Sequence, residues 1–199
     1  MPLIKTKKTE KYTYAIWKIK EDSDTLLKLL KPNKYELVLL NNISNQKRKD
    51  QSIAAKILLN NILQKKTTIF YNGKVPYCKE ISNISITHSD NYAAILLSEK
   101  KIGIDLQKEE QKIIKLKNKF LSKEREKNNY SIEDLHFIWT AKEALYKTLN
   151  GLTCSIKDNI YIEKKMKKGY FIKNNVKIEY NLESKKINDL YLSIAIKSI

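Results

Sequence analysis

The sequence predicts an α+β protein built as two similar lobes that share an interface, and three patterns predict it. Some short stretches alternate apolar and polar side chains with the period of a strand, whereas longer ones repeat them with the period of a helix. The two kinds follow one another as strand, helix, strand in each half of the chain, with no sequence repeat between the halves. The expected boundary lies near residue 100, giving an N-terminal lobe over 1–100 and a C-terminal lobe over 101–199.

Taken in order, YTYAIWKI reads as a strand with Tyr12, Tyr14 and Ile16 opposite Ala15 and Trp17. TLLKLL and YELVLLNNI fit one or two short helices. Ile53, Ile57, Leu58, Ile62 and Leu63 recur at helical spacing in a longer helix that begins amid Lys47, Arg48 and Lys49. From Thr67 the chain changes to short extended pieces, TTIFY, ISIT, YAAILLSE and KIGIDLQ, with a turn at Asn72-Gly73. A second helical stretch places Ile113, Leu116, Phe120 and Leu121 on one side. A long helix then runs from about Ile132 to Leu149, opened by a Ser131–Asp134 capping box and ended by Gly151. The remainder, IYIE, GYFIK, VKIEYNL and LYLSIAIK, alternates again and predicts a small antiparallel meander.

Composition narrows the class without naming a function. With 42% hydrophobic and 31% charged residues the chain has ordinary globular proportions. No apolar run reaches bilayer length, and MPLIKTKKTEKY lacks the apolar centre of a signal peptide, so the expected compartment is the cytoplasm. Cys78 and Cys154 stand far apart without metal-ligand spacing, which reads as two free thiols rather than a disulfide framework or a zinc site. The net charge of +17 attracts polyanions. Nucleic acid, anionic lipid, a nucleotide cofactor and an acidic protein all satisfy it, and so does plain solvated lysine.

Three clusters offer chemistry. In KIGIDLQ the strand period sets Gly103, Asp105 and Gln107 on the face opposite Ile102, Ile104 and Leu106. An acid so placed is most often just solvated. In the long helix Leu135, Ile138, Trp139, Leu145, Tyr146 and Leu149 share one arc with Lys142 at its centre. That lysine must snorkel outward, change its charge state or meet an anion, because an unpaired buried ammonium is costly. Glu143 and Lys147 lie four residues apart on the flank of the arc, as an ordinary surface pair also would. In SITHSDNYAAILL, His88 stands at a strand end, where it can serve a phosphate or the structure. Asn72-Gly73-Lys74 suits a close backbone approach to a ligand and equally a plain hairpin turn.

With THS, GIDLQ and WTAKEALYK in this order, the chain resembles the 4'-phosphopantetheinyl transferase superfamily, in its monomeric, two-lobed, surfactin-type branch. The family pattern is a small-residue-His-Ser turn, a G-[IV]-D-[IV]-E-like strand end, and a helix with [WF]-x-x-K-E-x-x-x-K, which Trp139 to Lys147 match without a gap. The resemblance covers Ile84 to Leu152 most closely. It implies two lobes related by a pseudo-twofold axis and a cytoplasmic, monomeric, magnesium-dependent enzyme with holo-acyl-carrier-protein synthase activity. Such an enzyme moves the 4'-phosphopantetheine arm of coenzyme A to a serine of an acidic apo carrier protein, without nucleic acid or membrane as partner, and releases 3',5'-adenosine bisphosphate.

The resemblance also implies roles. Asp105, Glu143 and Gln107 would hold Mg2+, and hard oxygen ligands suit that ion. Glu143 would be the base, and Lys147 would stabilise or protonate the departing phosphate while Lys142 contacts a phosphate. Thr87, His88, Lys56 and Lys47 or Arg48 would meet the 3'-phosphate end of coenzyme A, with Lys74 near the adenine. Three positions depart from the pattern. Gln107 stands where many relatives carry a third acid, so weaker metal binding is expected; Thr87 replaces a serine; and Lys56 replaces an arginine, losing bidentate phosphate recognition. A basic nucleic-acid-binding protein, or a family member that binds carriers without activity, are the rival readings.

Overall fold

Two antiparallel sheets organise the chain. The structure is a computed structural model, and it describes residues 3–122, 129–163 and 165–198. Of these, residues from 3 to 72 and from 76 to 99 form one compact unit, and those from 73 to 75 and beyond 99 form another. The fold class is α+β. The outermost residues of the two expected lobes, 1, 2 and 199, lie outside the described residues.

The first unit runs β1 (Leu3–Lys8), β2 (Thr13–Lys18), α1 (Ser23–Leu30), α2 (Lys34–Asn41), α3 (Gln46–Leu63), β3 (Phe70–Asn72), β4 (Val75–Tyr77, whose first residue counts to the second unit), β5 (Asn83–Ser89) and β6 (Tyr92–Ser98). Its sheet has the order β1-β2-β6-β5, while β3 and β4 pair as a separate hairpin. Each helix starts where a short polar side chain satisfies a free amide. Asp22 accepts from Thr25 N at 2.7 Å, Asn33 and Glu36 form a reciprocal capping box, and Asn45 accepts from Arg48 N at 3.0 Å. The apolar stripe of α3, with Ile53, Ala54, Ile57 and Leu58, packs with Ala15 and Trp17 of β2 and with Ala93, Ile95 and Leu97 of β6. Strand β1 carries no apolar alternation to announce it. It is the sheet's edge, where lysines such as Lys5 and Lys8 discourage further pairing.

The second unit runs β7 (Ile102–Lys108), α4 (Ile113–Leu116), α5 (Ile132–Thr148), α6 (Ile156–Asn159), β8 (Ile160–Ile162), β9 (Lys168–Lys173), β10 (Val176–Ile187) and β11 (Leu190–Lys197). The predicted meander forms, and β7 joins it beside the last strand, in the order β7-β11-β10-β9-β8. The expected helical stretch from Ile113 shrinks to the single turn of α4 and a 3-10 turn at Lys117–Lys119. Lys112 supplies no side-chain cap, and the crowded lysines around Leu116 have no acidic partner one turn away. Ile113, Phe120 and Leu121 nevertheless pack against Leu135 and Ile138 of α5.

Helix α5 begins at the expected Ser131–Asp134 capping box and lies on the sheet. There Ala141, Ala144 and Leu145 join Ile160, Ile162, Phe171, Leu182 and Ala195 in one core. No helix among the described residues is long and apolar enough to cross a membrane.

Candidate active site

The site begins with a missing side chain. A Cβ on Gly103 would stand 2.0 Å from the Ala144 carbonyl oxygen and 3.2 Å from Thr148 Cγ2, so only glycine lets α5 descend this far onto β7. Two residues on, the same face of the strand carries Asp105. It is buried at 7% exposure, because this face is the one α5 covers.

One turn of α5 then supplies the partners. Lys147 Nζ donates to the Ile104 carbonyl at 2.9 Å and to Asp105 Oδ1 at 2.7 Å. The ammonium therefore serves the strand, not the surface pair that its spacing from Glu143 would equally allow. Glu143 is half-buried. Burial first, then the nearby Asp105 charge, raises its carboxyl from the ordinary 4.5 to about 7, against the pull of Lys147. Gln107 follows Asp105 on the same face of β7, half-buried and in register with Tyr191 of β11.

These residues fit a hard divalent cation. Two carboxylates close enough for one to raise the other's proton affinity are a charge arrangement that such a cation relieves, and the Gln107 carbonyl lies on the same strand face. Among the described residues, no three His, Cys, Asp or Glu side chains gather as a metal cluster. Two carboxylates are a number that would suit an ion whose remaining ligands are substrate phosphates and water.

Lys142 behaves differently from its neighbours on α5. It is 2% exposed, and its Nζ donates to the carbonyls of Ile156 at 2.9 Å and Lys157 at 3.2 Å in α6. The charge that the apolar arc left without a partner is thus held by backbone oxygens. Its contact with a phosphate has no support in this geometry.

The remaining predicted residues lie in the first unit, except Lys74. Lys47 Nζ pairs with Asp90 Oδ1 at 2.5 Å, and Arg48 Nη1 lies 2.7 Å from His88 Nδ1. Lys47, Arg48 and His88 thus form one basic cluster at the start of α3. Thr87 is not part of it, because it projects to the opposite face of β5 from His88 and is 4% exposed. Lys56 is also buried, at 1% exposure, and donates to Ser52 Oγ at 3.0 Å. Burial lowers its proton affinity and the Glu36 charge partly restores it, which is the situation of a core lysine. Lys74 stands exposed in the β3–β4 turn beside Gly73, whose φ of +58° is the left-handed conformation such a turn needs.

The sequence reading passed over Thr140 and Ser193. Both are fully buried where α5 meets β11 and are joined Oγ1 to Oγ at 2.8 Å. Their one signal in the sequence is a lone serine among the apolar residues that precede Lys197 in LYLSIAIK. Comparison of the chain with protein-family models and with curated proteins finds no match.

Proposed function

We propose that the protein transfers the 4'-phosphopantetheine arm of coenzyme A to a serine hydroxyl of an acidic apo carrier protein and releases 3',5'-adenosine bisphosphate. The observation that carries this reading is the grouping of Asp105, Glu143 and Lys147 where β7 meets α5. Two similar lobes belong to the same reading, and the topology of each unit supports them. In each, one strand leads through helices to strands of which the last pairs with the first: β2 with β6, and β7 with β11.

The reaction forms a bond from the serine oxygen to the phosphorus nearest pantetheine and breaks that phosphorus's bond to the bridging oxygen. The serine proton must leave as the oxygen attacks. Glu143, half-buried beside Asp105, is the carboxylate placed to take it. The leaving phosphate gains charge, and Lys147 stands beside Asp105 to stabilise or protonate it. Asp105, Glu143 and the Gln107 carbonyl would hold Mg2+, which would neutralise charge on the pyrophosphate and orient it. Lys47, Arg48 and His88 take the 3'-phosphate end of coenzyme A, with Lys74 towards the adenine. Lys142 is left out of the phosphate contacts because its ammonium holds α6.

The test is direct. Incubated with Mg2+, coenzyme A and apo carrier domains of fatty acid, polyketide and peptide synthesis, the protein adds one phosphopantetheine mass to at least one carrier. Glu143→Gln abolishes the shift while circular dichroism stays unchanged. Absence of any shift with the wild-type protein would refute the enzymatic reading, and transfer by the variant would refute the role of Glu143.

A further inference from the structure

On the sheet face that α5 covers, Asp105, Ser193 and Ser184 stand directly opposite one another on β7, β11 and β10. Along the strands this row has Gly103, Ala195 and Leu182 on one side and Gln107, Tyr191 and Lys186 on the other. Thr140 reaches down from α5 to its centre. Thr140 Oγ1 lies 2.8 Å from Ser193 Oγ, and Ser193 Oγ lies 2.9 Å from Ser184 Oγ.

The protons in this row have one consistent order. Thr140 Oγ1 donates to the His136 carbonyl at 2.9 Å, and a carbonyl can only accept. Ser193 therefore donates to Thr140, and Ser184 donates to Ser193. The first of these bonds lies within α5 and the last within the sheet, so it is the Ser193–Thr140 bond that is made only while α5 keeps its present height and rotation over the sheet.

That constraint bears on Glu143. The carboxylate lies three residues after Thr140 and four before Lys147. Thr140 is tied to β11, Lys147 is tied to β7 at Ile104 and Asp105, and Ala144 rests on Gly103. An apolar residue at 140 would bury without any polar cost, whereas a buried hydroxyl must find partners in one arrangement. The hydroxyl thus restricts the helix to one setting.

We propose that Thr140 and Ser193 are positioning residues: their hydrogen bond holds the turn of α5 before Glu143 in register with Asp105, and so sets the spacing of the two carboxylates. This rests on the reading of Asp105 and Glu143 as the metal-holding pair. Partners that orient metal ligands are worth about 10- to 100-fold in affinity or activity.

The test titrates the full chain with Mn2+, read by electron paramagnetic resonance without coenzyme A, and separately measures transfer kinetics. Thr140→Val and Ser193→Ala each weaken Mn2+ binding about tenfold and lower kcat about tenfold, with KM for coenzyme A unchanged. Thr140→Ser restores both to within about twofold, and the Thr140→Val/Ser193→Ala double variant is no worse than either single one. Folded variants that bind Mn2+ and turn over like the wild type would overturn the proposal. So would a wild-type protein that binds no Mn2+. If Thr140→Val does not fold, Ser193→Ala alone decides by the same readings. A wild-type protein that binds Mn2+ but transfers nothing refutes the enzymatic reading, and the Mn2+ comparison still judges the hydroxyl row.

Discussion

At neutral pH the Glu143 carboxyl stands between its two protonation states, because burial and the Asp105 charge hold it at about 7 while Lys147 pulls it down. In the unfolded chain the same group titrates at its ordinary 4.5. Below that value both states carry the proton, and the site costs nothing. As pH rises from 4.5 to about 7 the unfolded chain releases the proton first, so the metal-free protein loses stability from this group over that window and no more above it. A bound divalent cation reverses the sign, since it needs the ionised carboxylate. Glu143→Gln removes the titration altogether. Urea unfolding without metal at about pH 5 and about pH 8 therefore shows a fall in stability that is larger in the wild type than in the variant. The difference is on the order of 1–3 kcal/mol. Equal falls in the two proteins would mean that Glu143 is not held near Asp105.

Helix α5 is the element on which the site depends, and its lysines divide the work. Lys147 meets a carboxylate, whereas Lys142 holds two carbonyls of α6, the short helix that leads into β8. Replacing Lys142 with Met keeps the bulk of the stem and strands both carbonyls. The expected loss is about 2 kcal/mol of unfolding free energy, with KM for coenzyme A unchanged. Unchanged stability with a raised KM would return Lys142 to a phosphate. The helix itself was legible, because a capping box and a 3.6-residue period are local signals. The oddity of Lys142 was legible for the same reason. Its partner was not, since carbonyls of residues 156 and 157 are tertiary neighbours that no spacing reveals. Gly103 is similar: the sequence shows a glycine on the Asp105 face, and only the seated helix shows that a Cβ would meet Ala144.

For the whole molecule, alternation and period gave the fold class, since they report burial directly. They gave neither β1, whose lysines suit an unpaired edge, nor the return of β11 to pair with β7, a contact distant in sequence. The net charge of +17 is likewise visible in composition, while its use depends on what the protein meets. With an acidic carrier as substrate, the surplus acts before contact, by steering the encounter, and little of it need lie in the bound interface. Its effect then falls on the association rate. In stopped-flow measurements, raising NaCl from about 0.05 M to about 0.5 M shortens the Debye length and slows carrier association by about tenfold or more. The dissociation rate changes far less, because close contacts are screened weakly. A carrier whose acidic residues near the modified serine are neutralised starts at the slower rate and loses its salt dependence. An association rate indifferent to salt, with the acidic carrier still modified, would show that the surplus charge plays no part in finding it.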